Sequence, residues 1–437
     1  MLKIKKHLSL QPLIDSFRSK FSDIDTKDTR RQESVNFSKL DTALAGLACM
    51  FYKSSDMLSF QERMQKRCYK NNLETQFGVS QIPKDNQMRT ILGSIDTELF
   101  APIYKDYLNR LQRSKELSKF KFGEKYLVAL DATQYYSSSK VKCSCCLTKT
   151  NKKGSITTYS HSALQAIICH PDQKQILPMM PEDIKNSDGS KKQDCEINAA
   201  KRLLPKLRSS HPKMDFVWLA DSLYATTPFI STLVEAKEDY IFRIKQGDHK
   251  YLYEHIETAE HLSHRHVLEK STIVHHWYEN IPLNKSSDIR VNVIKAYSIT
   301  TDKSGKQSSN IIGVWATNIK LETENIYKFT RAARTRWKIE NECFNALKNS
   351  GYELNHNWWH VKGESFVVYN LIMLSFYIHQ ILELTDYLFK KCRKISRTFK
   401  SLWTDLTYHF KYYLFESWEH MLCFHIERND HPPPQIV

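Results

Sequence analysis

The chain has 437 residues, of which 41% are hydrophobic and 12% aromatic, and its formal net charge is +16. The length predicts two or three folded domains, and the hydrophobic and aromatic content excludes a largely disordered chain. The positive charge favours a polyanionic partner, and an anionic membrane is the weaker choice because no apolar run of about 18 residues exists. The most apolar stretch, residues 366–384, is interrupted by polar side chains such as Asn370 and His379. We therefore expect a cytoplasmic protein that binds nucleic acid and no membrane.

Residues 1–120 are predicted to form a helical, basic DNA-binding domain. Apolar residues recur at three- and four-residue spacing in Leu40, Leu44 and Leu47, as on the buried face of a helix. Asp85 is placed to cap a further helix. Lysine and arginine are dense in this region, which is typical of a module that contacts DNA.

Residues 121–244 are predicted to be the first part of an α/β catalytic core. The predicted strands are 126–133, 163–169, 175–180, 215–222 and 240–244, and the predicted helices are 195–207 and 227–236. This order of three strands, helix, strand, helix and strand is that of the RNase H-like fold, a mixed sheet flanked by helices. In that fold the first and fourth strands are neighbours at the centre of the sheet. Asp131 and Asp221, which end those two strands, are therefore expected to lie close together.

Three further regions are predicted: a β-rich insertion at 245–320, a catalytic helix that completes the core at 321–360, and a C-terminal helical region with a tail at 361–437. The insertion shows no helical run, and its clearest strands are 291–300 and 310–320, separated by a turn. A helix is predicted from Thr323 through Asn349, ended by Gly351. The C-terminal region has no assigned role.

Two neighbouring carboxylates need a third acid to hold two metal ions. Two Mg²⁺ ions about 3.5–4 Å apart activate the attacking oxygen and stabilise the leaving oxygen in phosphoryl transfer. Mg²⁺ prefers carboxylate ligands. Glu340 is the predicted third ligand because it lies on the helix after the last strand. Arg336 shares its helix face and would hold Glu340 or bind a phosphate, whereas the alternative is an ordinary surface ion pair.

Three segments together resemble bacterial insertion-sequence transposases of the large family numbered four. They are YLVALDATQYYSSSK (126–140), WLADSLYATTPFI (218–230) and RWKIENECFNALKNSGYELNHNW (336–358). The first two resemble the two aspartate motifs of the family. The third resembles its signature, Tyr-x2-Arg-x3-Glu-x6-Lys. The motifs occur in the family's order, with a β-rich insertion before the third, and the resemblance covers most of the chain.

The resemblance implies a DDE transposase that cleaves DNA and transfers strands. It implies that Asp131, Asp221 and Glu340 are catalytic ligands of Mg²⁺, with Mn²⁺ as a substitute, and that Arg336 and Lys348 support the reaction. The implied partners are the terminal inverted repeats and the target DNA, held by a homodimer and associated with the nucleoid. An alternative from another class is a decayed copy that only binds DNA. A stand-alone RNase H-like nuclease would explain neither the basic N-terminal region nor the insertion.

The signature is imperfect at two positions. Ala333 takes the place of its tyrosine and Leu347 the place of its lysine, whereas Lys348 lies one residue late. At about 100° per residue this offset turns Lys348 about a quarter-turn away from the line of Glu340. Either a helical irregularity absorbs the offset or Lys348 has a different role. Glu342 is the rival third acid, and Glu340 is preferred because it keeps the Arg-x3-Glu spacing.

Two tryptophans of the insertion are candidates for a DNA contact. The insertion resembles the one that places a tryptophan near the DNA end in family members, so Trp277 and Trp315 are proposed to stack on a flipped base. For Trp315, core packing within a strand is the alternative that we favour.

Cys143 and Cys146 have the Cys-x2-Cys spacing of zinc ligands. Zinc needs four ligands, and no second pair of this kind follows. The remaining ligands would have to come from His161, Cys169 or His170. Free cysteines are the expected state and a zinc site is the alternative.

Asp194 and Glu196 stand at the start of the predicted helix 195–207. An acidic residue there interacts favourably with the helix N-terminus. We expect no catalytic role for either residue, because the fold would place them at the opposite end of the sheet from the two aspartates.

Overall fold

The structure, a computed structural model, describes most of residues 6–427. Within that span the residues left undescribed are 27, 29, 31–34, 66–70, 152–153, 155–156, 187–192, 302–304, 359 and 361–364. The predicted C-terminal tail and part of the predicted turn between 301 and 310 therefore lie outside the described residues.

The N-terminal region is helical, as predicted. Its helices are α1 (Leu10–Lys20), α2 (Asp23–Thr26), α3 (Lys39–Phe51), α4 (Met57–Gln65), α5 (Asn72–Phe77), α6 (Asp85–Gly93) and α7 (Ala101–Arg113). Asp85 is the first residue of α6 and not its cap, since Lys84 occupies the capping position. The aspartate still places negative charge in the first turn, where the helix dipole favours it.

The central region alternates strands and helices. Its elements are β1 (Lys121–Phe122), β2 (Lys125–Ser138), β3 (Leu147–Thr150), β4 (Thr157–Cys169), β5 (Leu177–Pro178), β6 (Glu182–Ile184), α8 (Glu196–Ser210), β7 (Phe216–Ala220), α9 (Thr227–Glu235) and β8 (Asp239–Arg243). Every residue of β7 is buried, as expected for a strand covered on both faces. The chain is thus a mixed α/β protein.

The described strands form one sheet in the order β3-β4-β2-β7-β8, which continues through the insertion. β2 pairs with β7 in parallel and with β4 antiparallel, so the predicted adjacency of the two aspartate-bearing strands is confirmed. One expectation was wrong in detail. Asp131 does not end its strand, because β2 continues to Ser138 and pairs with β4 around a bulge between Gln134 and Tyr136. Antiparallel pairing with the long β4 supports this extension.

The insertion lengthens the same sheet. It contains α10 (Lys250–Thr258), β9 (Leu262–Val267), β10 (Thr272–Pro282), β11 (Arg290–Thr301) and β12 (Gln307–Thr317). β12 pairs with β8, and β11, β10 and β9 follow outward. The prediction that this region has no helix was wrong, because Leu252 and Ile256, four residues apart, give α10 a buried face that the surrounding polar residues obscure.

The remaining helices follow the insertion. They are α11 (Ile326–Arg334), a π-helix (Ile339–Phe344), α12 (Asn345–Asn349), α13 (Ser365–Thr385), α14 (Tyr387–Ile395), α15 (Phe399–Tyr412) and α16 (Trp418–Ile426). The predicted helix over 323–349 is therefore present in three sections. Gly351 follows with φ of +85°, a left-handed conformation that suits glycine at a helix end.

α13 is the central helix of the helical layer. It is apolar on all sides, and it is the one helix among the described residues that is long and apolar enough to cross a membrane, but its apolar window is entirely buried inside the protein. It packs most extensively against α3, where Ser375 donates a hydrogen bond to the Leu47 carbonyl at 3.2 Å. N-terminal and C-terminal helices thus share one core, which joins the sheet through α13 and β5.

Candidate active site

Asp131 and Asp221 emerge at one edge of the sheet. The parallel pairing of β2 with β7 extends to Ala129 opposite Leu219. Asp131 lies two residues beyond that pair, and Asp221 directly follows β7. Parallel strands run in the same direction, so both carboxylates are delivered to the same end. The Asp221 carboxylate also accepts a hydrogen bond from the backbone N–H of Leu223 at 2.9 Å, a turn that ends the strand.

Arg336 connects the sheet to the helix that carries the predicted third acid. Its Nη1 lies 3.3 Å from Oδ2 of Asp131, and its Nη2 lies 2.7 Å from Oε1 of Glu340. The Arg336 side chain is only 8% exposed, whereas those of Asp131 and Glu340 are 21% and 35% exposed. One guanidinium therefore bridges two carboxylates, using the forked geometry that a lysine cannot supply.

The rival acid points elsewhere. Oε1 of Glu342 lies 3.6 Å from Nζ of Lys338, which in turn donates to the Gln173 carbonyl at 2.9 Å. No contact of Glu342 with Asp131 or Arg336 is present among the described residues. The geometry thus favours Glu340 as the partner of the two aspartates.

A π-helix accounts for the displaced lysine. The backbone N–H of Asn345 bonds to the Glu340 carbonyl five residues earlier, in place of the four-residue step of an α-helix. Each such turn holds about one residue more than an α turn. The extra residue takes up the one-residue offset, so Lys348 lines the same groove of about 350 Å³ as Asp131 and Glu340. Leu347, which stands at the signature position, is fully buried in the core.

The cluster holds more negative charge than its single arginine compensates. Burial raises the pKa of Asp131 to about 7, and the Arg336 charge opposes this shift. The charges of Glu340, Glu196 and Asp221 contribute to the same rise. A carboxyl pKa displaced this far in an open groove is typical of functional sites.

Glu196 belongs to this cluster, which the sequence analysis did not predict. It is the first residue of α8, as expected, but the expectation that it lies at the opposite end of the sheet was wrong. Burial, and then the charge of Asp221, raise its pKa, while a hydrogen bond from the Tyr224 hydroxyl at 3.3 Å lowers it. Asp194 is separate and pairs with Arg202 at 2.8 Å. The α8 helix packs against β6 and β4 and then leads into β7, so its first turn lies at the end of the sheet where Asp221 follows β7.

Both candidate tryptophans of the insertion are buried, which for Trp315 is the favoured alternative. Trp315 and Trp277 are each 3% exposed, so the core-packing alternative describes Trp315 in this conformation. Its ring covers Gly313, where a Cβ atom would approach the ring to 2.5 Å. Trp337 is instead 48% exposed, and the Arg336 guanidinium lies 5.4 Å from its ring. An exposed ring of this kind, next to Arg336, could stack on a base.

The cysteine pair lies in a second cluster of possible metal ligands. Cys143 and Cys146 meet His161, one of the histidines proposed from the sequence, and also His360, which lies 214 residues beyond Cys146 along the chain. Cys169 and His170 are not members of this cluster. The nine cysteines within the described residues form no disulfide.

Comparison with known proteins adds no assignment. The sequence matches no protein-family model and no curated protein.

Proposed function

We propose that this chain is a DDE transposase, a metal-dependent enzyme that cleaves and transfers DNA strands. The observation that carries the proposal is the Arg336 bridge between Asp131 and Glu340. It brings together residues about 200 positions apart in the chain, at the sheet edge where Asp221 also emerges. An ordinary surface ion pair between Arg336 and Glu340 would leave the arginine exposed and would not include Asp131.

The strand order supports an RNase H-like core. Numbering β2, β4, β5, β7 and β8 as strands one to five, the order is three, two, one, four, five, with strand one parallel to four and four parallel to five. The parallel pair of β7 and β8 is joined through α9, as a parallel connection requires. Function is inferred from the site and not from this fold.

The donor set fits Mg²⁺, with Mn²⁺ as a substitute. Asp131, Asp221 and Glu340 offer carboxylate oxygens, which magnesium prefers, and the groove is open enough to leave room for water and a phosphate. When bound, the ions would lower the barrier to in-line displacement at phosphorus by stabilising charge on the attacking and leaving oxygens. Arg336 orients two of the carboxylates. Lys348 is placed to hold a DNA phosphate in the groove as a point charge.

The net charge of +16 supports DNA as the partner. The N-terminal helices and basic faces would bind the terminal inverted repeats, and a homodimer would bring two ends and the target DNA together. Such an enzyme would act in the cytoplasm, at the nucleoid. A decayed copy that only binds DNA is the second candidate. It is favoured by Ala333, which stands where the family signature has a tyrosine and is 4% exposed.

The test is strand cleavage on DNA that carries the ends of the chain's own element. With Mg²⁺ or Mn²⁺ the native protein should produce nicks with 3′-hydroxyl ends and then joined products. Asp131→Asn and Glu340→Gln should reduce both to below detection while end binding persists. Glu342→Gln is the matched control, because it removes a carboxylate two residues away that pairs with Lys338. Binding without cleavage by the native protein would favour the decayed copy, and equal loss in Glu342→Gln would contradict the assigned acid.

A further inference from the structure

A second cluster of metal-ligating side chains lies outside the carboxylate site. The Cys143 and Cys146 sulfurs are 3.7 Å apart. Nε2 of His161 lies 3.3 Å from the first sulfur and 3.5 Å from the second. Nε2 of His360 lies 3.6 Å from the Cys146 sulfur. All four ligand atoms fall within 4.8 Å of one another.

Four of the six separations among these atoms match a tetrahedral zinc site. With Zn–S bonds of about 2.3 Å and Zn–N bonds of about 2.0–2.1 Å, tetrahedral angles place two sulfurs about 3.8 Å apart and sulfur and nitrogen about 3.6 Å apart. The Cys143–Cys146 distance and the Cys146 distances to both histidines agree with these values within about 0.1 Å, and the Cys143–His161 distance within about 0.3 Å. The agreement extends over two kinds of ligand atom and three separate chain segments.

The surroundings hold the ligands in place. The Tyr136 ring stacks on that of His360 with centroids 3.9 Å apart and planes at 14°. The backbone N–H of Cys143 points at the Cys146 sulfur at 3.4 Å, an arrangement that stabilises negative charge on sulfur. The Nδ1 atoms of both histidines are buried and have no hydrogen-bond partner among the described residues. In both histidines Nε2 is therefore the ring nitrogen that faces the sulfurs.

Hydrogen bonding between thiols and imidazoles is a poor explanation of this convergence. Thiols are weak donors and weak acceptors, yet His161 is 1% exposed and Cys146 is 4% exposed. A disulfide between the two cysteines would leave both histidines without a partner for Nε2. A metal ion satisfies all four groups together.

We propose that Cys143, Cys146, His161 and His360 bind one structural Zn²⁺ ion. Four protein ligands leave no open position, which distinguishes a structural site from a catalytic one. The ion would join the segment between β2 and β3, strand β4, and the segment between α12 and α13. That last segment follows the helix that carries Glu340, so the zinc would anchor its C-terminal side to the sheet. The proposal shares no residue with the carboxylate site and does not depend on the proposed function.

The experiment measures metal in the full-length protein, purified under reducing conditions, reconstituted with Zn²⁺ and dialysed. Elemental analysis should give one zinc per chain. Cys146→Ser and His360→Ala should lose it, and Cys145→Ser should keep it. Cys145 is the matched control because its thiol is adjacent in sequence but is not part of the cluster.

A spectroscopic measurement on the native protein tests the site without depending on whether the variants fold. Exchange of Co²⁺ for zinc in the native protein should give the visible absorption of a tetrahedral ion and charge transfer from thiolate to cobalt. A native protein that retains no zinc, or one whose Co²⁺ form lacks thiolate charge transfer, would overturn the proposal. Equal zinc content in Cys145→Ser and in a folded Cys146→Ser would also overturn the proposal. A zinc-loaded protein that fails to cleave DNA would count against the proposed transposase only.

Discussion

Replacing Arg336 by methionine removes the one cation that bridges the carboxylate cluster. The guanidinium contacts Asp131 at 3.3 Å and Glu340 at 2.7 Å from a position that is 8% exposed. Methionine keeps much of the side-chain volume and leaves the two carboxylates facing each other without compensation. The same cluster contains Glu196 and Asp221, whose charges already raise the pKa of Asp131.

The expected loss of unfolding free energy is about 3 kcal/mol in the absence of divalent metal. At an effective dielectric of about 20, unit charges about 4 Å apart attract by about 4 kcal/mol, and the desolvation of the arginine offsets part of this. Removal of one partner from a buried ion pair costs about 3–5 kcal/mol. The lower end applies because Glu340 is 35% exposed and Asp131 can take up a proton.

Urea unfolding at neutral pH in EDTA measures the effect. Arg334→Met is the control, since Arg334 is an exposed arginine on the same segment and its replacement should change stability by less than about 0.5 kcal/mol. The double variant Arg336→Met with Asp131→Asn should recover part of the loss, because it removes one stranded carboxylate. An Arg336→Met variant that is no less stable than Arg334→Met would contradict this expectation. So would a double variant with a lower free energy of unfolding than Arg336→Met.

Three further outcomes are expected. Glu196→Gln should lower Mg²⁺-dependent cleavage about 10- to 100-fold, as for residues that support metal ligands. Asp194→Asn removes a carboxylate outside the cluster and should leave the cleavage rate unchanged. A larger loss in Asp194→Asn than in Glu196→Gln would exclude Glu196 from the site. Lys348→Ala should weaken binding to end DNA and reduce the slope of log affinity against log salt by about one, and an unchanged slope would argue against a phosphate contact. Burial lowers the pKa of Lys53 to about 7 from 10.5, so between these values the unfolded chain holds a proton that the folded one lacks, and stability rises with pH. In urea unfolding the native protein should therefore gain stability relative to Lys53→Met from about pH 7 to about pH 9, with a limiting slope of about 1.4 kcal/mol per pH unit. Lys213→Met, at an exposed position, should show no such trend.

The apolar runs of the central region were sufficient to predict β2, β4, β5, β7 and β8, but not the short strands β1, β3 and β6. Residues 126–130 and 216–220 are continuous stretches of apolar side chains, and such stretches are stable only where both faces of a strand are covered. The position of an acid after each run, and the Arg-x3-Glu spacing at 336–340, are equally local features. They predicted which residues to consider for the site.

Local patterns did not reveal contacts that join distant segments. The α10 helix, the position of Glu196 and the proposed zinc ligand His360 all escaped prediction. His360 is 214 residues from Cys146, so no ligand spacing could have pointed to it. Glu196 was misplaced because the approach of α8 to the sheet depends on packing rather than on its own sequence.

The sequence by itself therefore determined the buried strands, the acids that follow them and the helix that carries Glu340, because burial and helical spacing act between near neighbours in the chain. The tertiary structure alone decided which acids share Arg336, and it decided between the two alternatives for Lys348, which a π-helix turns into the groove. Both depend on the pairing of β2 with β7 and on the docking of the helix against the sheet. Those contacts are made between segments that are distant in sequence, and their free energy is shared among many side chains rather than encoded in one motif.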